Sequence, residues 1–373
     1  MKFTSLELKN WRNFHKVPKL ALRDRVFLIG PNASGKSNLL DALRFLRDVA
    51  LFGLGKAVAD RDGISSIRCL NARSDNQITI AVEAEVGDHR WHYELSISQD
   101  NNQRPIVRRE SVARDGVPLK LQDTTGDPQL LQYTALEQPV ANREFRDLAE
   151  FFKSVKYEHV VPQLVRDPRG FSPLPVKDDP YGRDFLVRVW QTNKKTRESR
   201  LKKISAALQA AVPQFKSIDV ASDALGTPHL AISYEHWRAI AAKQSERDLS
   251  DGTIRLIGFL WSLFEGDGPV LLEEPEGSLH REVVRKLVAL VDQINRDRRL
   301  RRQIFLSTHS EDLLSDKSIA AEEVLRLEPT SSGTEVRLPN EIDKKRVLAG
   351  LSVADALLPQ TSPRNIQQLV LSL

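Results

Sequence analysis

The sequence predicts an α/β fold: a mixed sheet core built around a phosphate loop, with an added antiparallel β layer and a helical insertion. Three observations predict it. Val26-Phe27-Leu28-Ile29 is a wholly apolar run that ends in the glycine-bearing turn Gly30–Ser37, after which the spacing becomes helical. Residues 77–121 alternate between apolar and polar side chains, the pattern of half-buried antiparallel strands. Two more apolar runs, Val270–Leu272 and Ile304–Leu306, each follow a segment of helical spacing and each end in polar groups, as parallel strands joined by crossover helices do.

The elements follow in order. Phe3, Leu6 and Leu8 begin a strand, and Asn10–Phe14 makes a polar-aromatic turn. Beyond Ser37, the residues Leu39, Leu40, Leu43, Leu46 and Val49 share one helix face. Ile78, Ile80 and Val82 lie on one side of a strand that turns at Gly87-Asp88 into Trp91, Tyr93, Leu95 and Ile97. Arg104–Arg114 and Val117–Leu121 form a hairpin about Asp115-Gly116. Residues 122–142 read as a polar loop, Val155–Val165 as a strand, and a Pro-rich stretch runs on to Pro180. Residues 183–212 read as helix, with Leu201, Ile204, Leu208 and Val212 in register before Pro213. Strands at Phe215–Val220 and His229–Tyr234 precede helices over 253–264 and 281–295. The expected organisation is an N-terminal lobe 1–165, a mainly helical insertion 166–245, a second lobe 246–330, and a tail 331–373 that offers a docking segment.

Composition narrows the class. The chain has 373 residues, 40% hydrophobic and 28% charged, which fits a water-soluble globular protein with a sizeable core. The longest mainly apolar stretch, around Leu256–Phe264, is too short and interrupted to cross a bilayer, and the N-terminus lacks the apolar centre of a signal peptide. A single cysteine, Cys69, excludes an intrachain disulfide and points to the cytoplasm. A net charge of +5 permits contact with nucleic acid without requiring it. The basic residues cluster at Lys194–Lys203 and Arg296–Arg302, each of which also reads as a solvated helix end.

The chemistry-bearing residues sit where these elements end. Gly30-Pro31-Asn32-Ala33-Ser34-Gly35-Lys36-Ser37 fits G-x-x-x-x-G-K-[ST]. Glycines let backbone N–H groups curl around phosphate oxygens, the lysine reaches the β- and γ-phosphates, and the serine hydroxyl takes Mg²⁺. The following helix aims its positive end at the same charge. Val270–Glu276 ends an apolar run in Glu273-Glu274, where one acid supports a metal shell and the next polarises water. Leu249-Ser250-Asp251-Gly252-Thr253 opens a helix; Ser250 reads either as its cap or, with Gly252, as a second anion site serving a phosphate bound to another subunit. His309, just past Phe305-Leu306, suits a sensor of the γ-phosphate.

Together these motifs resemble the ABC-type P-loop ATPases, in the RecF/SMC/OLD-like branch, over Met1 to about Leu327. Asn10-Trp11-Arg12-Asn13-Phe14 is similar to that branch's N-terminal element, GPNASGKS to its Walker A, LSDGT to its signature, EEPE to Walker B with the catalytic glutamate, and Ser278-Leu279-His280 to its D-loop. The resemblance implies an ABC-ATPase head, ATP and Mg²⁺ as cofactors, and an ATP-sandwiched homodimer or higher oligomer. It implies nucleotide contacts from Arg12, Asn32, Ala33, Ser34, Gly35, Lys36, Ser37 and Asn38, with Ser250 and Gly252 reaching the opposite protomer's nucleotide. Ser37 and Glu273 would hold the metal, with Gln163 as the Q-loop candidate; Glu274 orients water, and His309 senses phosphate. The pattern departs in Glu273, where Walker B usually has Asp; the longer side chain pushes the metal contact outward or slows turnover. No Toprim-like acidic domain and no long heptad pattern is present in the sequence.

The expected function is an ATP-gated switch that acts on DNA or on a nuclease or other effector partner, in repair or phage defence. A transporter ATPase subunit is disfavoured by the 77–121 insertion and Asp251, and a non-hydrolysing scaffold by Glu274. Apolar residues at Leu351, Val353, Ala356, Leu357, Ile366, Leu369 and Leu371 suit either a segment packed on the core or an effector surface.

Overall fold

A computed structural model describes residues 1–72, 75–122, 129–167, 179–212, 214–235, 243–296 and 301–361. Three strands open the chain: β1 (Lys2–Trp11), β2 (Phe14–Ala21) and β3 (Arg25–Ile29). Helices α1 (Lys36–Phe52), α2 (Leu54–Ala59) and α3 (Ile64–Ile67) follow, then strands β4 (Ile78–Val86), β5 (His89–Gln99), β6 (Pro105–Arg114) and β7 (Val117–Gln122), and helix α4 (Arg146–Lys153). The middle holds β8 (Lys156–Glu158), α5 (Pro162–Arg166), α6 (Phe185–Gln191), α7 (Lys194–Ala211), β9 (Phe215–Ser222), β10 (Pro228–Tyr234) and β11 (Lys243–Gln244). After α8 (Asp251–Phe264) come β12 (Val270–Glu273), α9 (Arg281–Val284), α10 (Leu287–Arg296), β13 (Ile304–Ser307) and α11 (Glu311–Leu314), and the described chain closes with β14 (Val324–Thr330), β15 (Gly333–Arg337), α12 (Glu341–Leu348) and α13 (Val353–Leu357).

These elements form two compact units, Met1–Lys156 with Asp267–Leu271 and Arg299–Leu373, and Tyr157–Gly266 with Leu272–Arg298. In the first unit β3 runs parallel to β13 on one side and to β14 on the other, pairing Phe305 with Val26 and Leu325 with Leu28. A strand with parallel neighbours on both edges and helices on its faces has no wet side, and Val26, Phe27, Leu28 and Ile29 are accordingly buried. Strand β15 pairs antiparallel with β14, and the Val270 amide donates to the Gln303 carbonyl, bringing the start of β12 alongside the β13 edge. The second sheet, β2-β1-β4-β5-β6-β7, is antiparallel throughout and is the added layer that the alternation at 77–121 predicts.

The helix face of Leu39, Leu40, Leu43, Leu46 and Val49 is buried. The opposite side of α1 carries a charged network: Arg61 donates to Asp41 at 2.7 Å and to Asp48 at 2.9 Å, and also to the Ala57 carbonyl. Inside the antiparallel layer, buried Glu110 accepts from the Tyr93 hydroxyl and from the Ala135 and Leu136 amides; burial nonetheless pushes its carboxyl above the usual range. Val353, Ala354, Ala356 and Leu357 of α13 are buried, with α13 packed on α11, whereas Leu351 is exposed; Ile366, Leu369 and Leu371 lie outside the described residues.

In the second unit β9, β10 and β11 make a small antiparallel sheet with α7 packed on β9. Helix α8 buries Ile254, Leu256, Ile257, Phe259, Leu260, Trp261 and Leu263. Three expectations need correction, of which the first is the single helix over 281–295: it is two, α9 and α10, interrupted at Arg285-Lys286. Val155–Val165 is not one strand: only Lys156–Glu158 pairs as a strand, and Pro162 starts α5 at the helical position where proline's fixed φ and missing N–H are tolerated. Gln163 therefore lies on a helix. The helix expected over 183–212 is two, because Asn193 leaves helical geometry and its side chain caps α7 by accepting from the Lys195 amide. Of the basic run Arg296–Arg302, residues 297–300 lie outside the described residues, as do 168–178 of the Pro-rich stretch. No helix among the described residues is long and apolar enough to cross a membrane.

Candidate functional site

The first unit carries the phosphate loop. Strand β3 ends at Ile29, the loop turns through Ser34 N–H to Pro31 C=O, and α1 starts at Lys36. Two residues take left-handed backbone angles, Ala33 at φ 61° and Gly35 at φ 96°. A Cβ on Gly35 would lie 2.2 Å from the Asn13 amide nitrogen, so glycine is required there by both angle and space. No side chain caps α1 and its first turn holds no acid, so the positive end of its dipole meets the loop with no competing carboxylate of its own. Lys36, buried, lays its ammonium across the loop, donating to the Gly30 and Pro31 carbonyls at 3.0 and 3.1 Å. Asn32, Ala33 and Ser37 are exposed, whereas the Ser34 hydroxyl is buried with no hydrogen-bond partner among the described residues. This glycine cradle, uncapped helix end and single ammonium fit a polyphosphate.

His309 follows β13 and is exposed. Because β13 and β3 are parallel neighbours, with the Thr308 amide bonded to the Leu28 carbonyl, His309 emerges on the same sheet edge as Gly30. Arg12, at φ 53° in the β1–β2 turn, points to α1 and α3: its guanidinium donates to the Ser66 carbonyl at 3.1 Å and Asp41 at 3.4 Å. Asp41 is half-buried, and its partial loss of water alone would raise its carboxyl, but the charges of Arg61, Arg44 and Arg12 hold it below the ordinary range. The neighbour of Arg12, Asn13, bonds the loop directly, donating to the Ser34 carbonyl and accepting from Asn38.

The second unit carries the acidic strand end and the signature-like turn. Glu273 ends β12; its carboxylate accepts from the Tyr157 hydroxyl, and His159 Nδ1 lies 3.3 Å from its carbonyl. Glu274 then adopts φ 41° and Ser278 φ 62°, uncommon angles for such residues, in a turn closed by Gly277 N–H to Glu274 C=O. Ser250 is the N-cap of α8, accepting from the Thr253 amide at 3.2 Å, and is exposed. Gly252 faces the Ser278 carbonyl so closely that a Cβ would lie 2.3 Å away. Arg166 holds the turn from behind, reaching the Leu249 carbonyl at 2.6 Å and Asp251 at 2.7 Å, and Gln163 donates to Asp251 at 3.3 Å. Sequence reasoning quoted Asn13 within the Asn10–Phe14 element but gave the nucleotide role to its neighbour Arg12; it missed Tyr157 and Arg166, which belong to no motif whose spacing would single them out.

A glycine-rich loop between a buried parallel strand and an uncapped helix, in a mixed sheet with an antiparallel layer, defines an ABC-type P-loop ATPase fold of the RecF/SMC-like kind. The chain belongs to the family described as "AAA domain, putative AbiEii toxin, Type IV TA system", which matches residues 25–316; a family described as "P-loop containing region of AAA domain" matches residues 3–46. Among solved structures it is similar to an SmcHead bound to the C-winged helix domain of ScpA, with 13% identity, 92% of this chain and 99% of that chain covered, and a TM-score of 0.58. It is also similar to an Smc head domain with an extended coiled coil bound to the C-terminal domain of ScpA, from Pyrococcus furiosus, at 12% identity, 93% and 98% coverage and a TM-score of 0.52. At such identities the likeness is one of fold. No curated protein matches.

Proposed function

We propose that this chain binds and hydrolyses ATP with Mg²⁺ and works as an ATP-gated dimeric switch that acts on DNA or controls a nuclease or other effector partner. The observation that carries the reading is the loop itself: Gly35 packed where no Cβ fits, Lys36 across the loop, and an uncapped α1. In this reading Asn32, Ala33, Ser34, Gly35, Lys36 and Asn38 surround the phosphates, and Arg12 steadies that end of α1 through Asp41. Ser37, Glu273 and Gln163 supply the hard oxygen donors that Mg²⁺ prefers. Glu274 accepts a proton from the attacking water, and His309 reports the γ-phosphate. Ser250 and Gly252 close over the nucleotide of a second copy, so that ATP joins two chains and its loss releases them.

The family's description, naming a toxin of a toxin–antitoxin system, supports a defence setting, and the basic α7 offers a phosphate-contacting surface. The deciding experiment compares phosphate release and oligomeric state for the wild type and Glu274→Gln. The expected result is hydrolysis lowered by about 10²-fold or more in the variant, with ATP retained and the dimer trapped; DNA or a co-purifying effector should then be held by the trapped form. Equal, background-level release from both proteins would instead identify a nucleotide-binding scaffold.

A further inference from the structure

Asn13 lies in the β1–β2 turn, outside the glycine-rich motif, yet both N–H donors and the oxygen of its carboxamide are engaged around the loop. Its Nδ2 donates to the Ser34 carbonyl at 2.9 Å and to the Thr334 hydroxyl at 2.6 Å, and its Oδ1 accepts from Asn38 at 2.8 Å. Its own carbonyl accepts from the Thr334 amide at 2.8 Å. Thr334 is buried and belongs to β15, paired with Pro329 of β14. One side chain thus joins the phosphate loop, the first turn of α1 and the β14–β15 hairpin.

The bond to Ser34 has a geometric consequence. The Ser34 carbonyl and the Gly35 N–H belong to one planar trans peptide unit and point in opposite directions. Holding the carbonyl toward Asn13 therefore aims the Gly35 N–H away from Asn13, on the loop's other side. The left-handed φ of Gly35 leaves that peptide free to turn unless something fixes it.

We propose that Asn13 is a positioning residue of the phosphate loop: it sets the Ser34–Gly35 peptide so that the Gly35 N–H faces bound polyphosphate, and through Thr334 it makes the β14–β15 hairpin the element that determines how firmly the loop holds nucleotide. This rests on the nucleotide-binding reading above. The hairpin is then a handle: a ligand or subunit that shifts β15 alters nucleotide affinity without touching the loop.

The test measures Mg·ATP affinity by calorimetry, and KM and kcat for hydrolysis, on the full chain with Asn13→Ala, Thr334→Val and Thr334→Ser. Asn13→Ala should raise Kd and KM about tenfold or more, the loss of an oriented donor plus an unsatisfied carbonyl, with kcat changed far less. Thr334→Val, which keeps shape and removes the hydroxyl, should raise Kd about threefold, and Thr334→Ser should restore wild-type affinity. A merely structural role would lower the unfolding temperature without this split between KM and kcat and without rescue by serine. If Asn13→Ala fails to fold, the two Thr334 variants carry the test. Wild-type affinity in Thr334→Val and in any folded Asn13→Ala overturns the proposal while leaving nucleotide binding intact; absence of ATP binding by the wild type sinks both.

Discussion

The Tyr157 hydroxyl donates a hydrogen bond to the Glu273 carboxylate, tying the residue just before the Glu274 turn to the short strand β8. Glutamate at this position is one methylene longer than aspartate, and the phenol takes up that reach. Tyr157→Phe removes the tie and leaves the ring. If Glu273 serves a metal, the Mg²⁺ concentration that half-saturates ATP binding should fall about threefold, the scale of one net hydrogen bond. A magnesium titration at fixed ATP reads this directly; an unchanged midpoint would separate Glu273 from the metal.

Gly252→Ala should be destabilising. Its Cβ would meet a backbone oxygen, Ser278 O, at 2.3 Å, and a carbonyl cannot swing aside as a side-chain tip does. A loss of about 1–3 kcal/mol is expected from such overpacking, together with displacement of Ser278 and Glu274. Denaturant unfolding measures the first, and phosphate release should fall with it. Wild-type values in both would mean that the two turns are not held in contact.

Arg61→Ala removes the cation shared by buried Asp48 and half-buried Asp41. Arg61, Asp41 and Asp48 have side chains that are 5%, 16% and 6% exposed. Asp41 keeps Arg12 at 3.4 Å and Asp48 keeps Arg47 at 3.0 Å, so the loss should be about 1–3 kcal/mol, more than for a surface pair and less than for a buried charge left with no partner. Urea unfolding of the variant checks this. The Asp41 carboxyl, now held low by its arginine neighbours, should move up in the variant.

His229 should titrate above its ordinary value of 6.5, raised first by its hydrogen bond to Glu246 at 2.7 Å and further by Asp223 at 3.4 Å. A histidine whose folded pKa is raised stabilises fully below 6.5 and loses that contribution as pH climbs through the raised value. Glu246 also accepts the Leu230 amide and lies in the turn that leads to Ser250, so the loss should register near the signature-like segment. Proton NMR of the His229 ring across pH 5.5–8.5 gives the midpoint, a range of about one unit below to two above the usual value. Glu246→Gln should lower it, and a wild-type midpoint at or below 6.5 would contradict the geometry.

The legible parts of this fold are local ones. An apolar run closed by Gly30, followed by Leu39, Leu40, Leu43 and Leu46 at helical spacing, declares a buried strand, a loop and a helix within a single stretch of chain. The alternation through Ile78, Ile80 and Val82 likewise declares its layer. Gln163 was misplaced because valines on both sides of Pro162 look extended by composition, while the helix start depends on what α5 packs against. The hairpin β14–β15 escaped notice because its partner strand, β3, lies far away in sequence.

By itself the sequence determined the phosphate loop, the acidic strand end, the signature-like turn and the class of sheet that carries them, since each depends on residue type and short-range spacing. Only the tertiary structure decided that Asn13 rather than Arg12 bonds the loop, that Thr334 backs it from 321 residues away, and that Tyr157 holds Glu273. Hydrogen bonds between segments remote in sequence leave no periodic trace in the chain. They exist because, within the first unit, the β1–β2 turn packs against the phosphate loop and β15, and, within the second, Tyr157 lies beside the end of β12; each is a property of packed elements rather than of neighbouring residues.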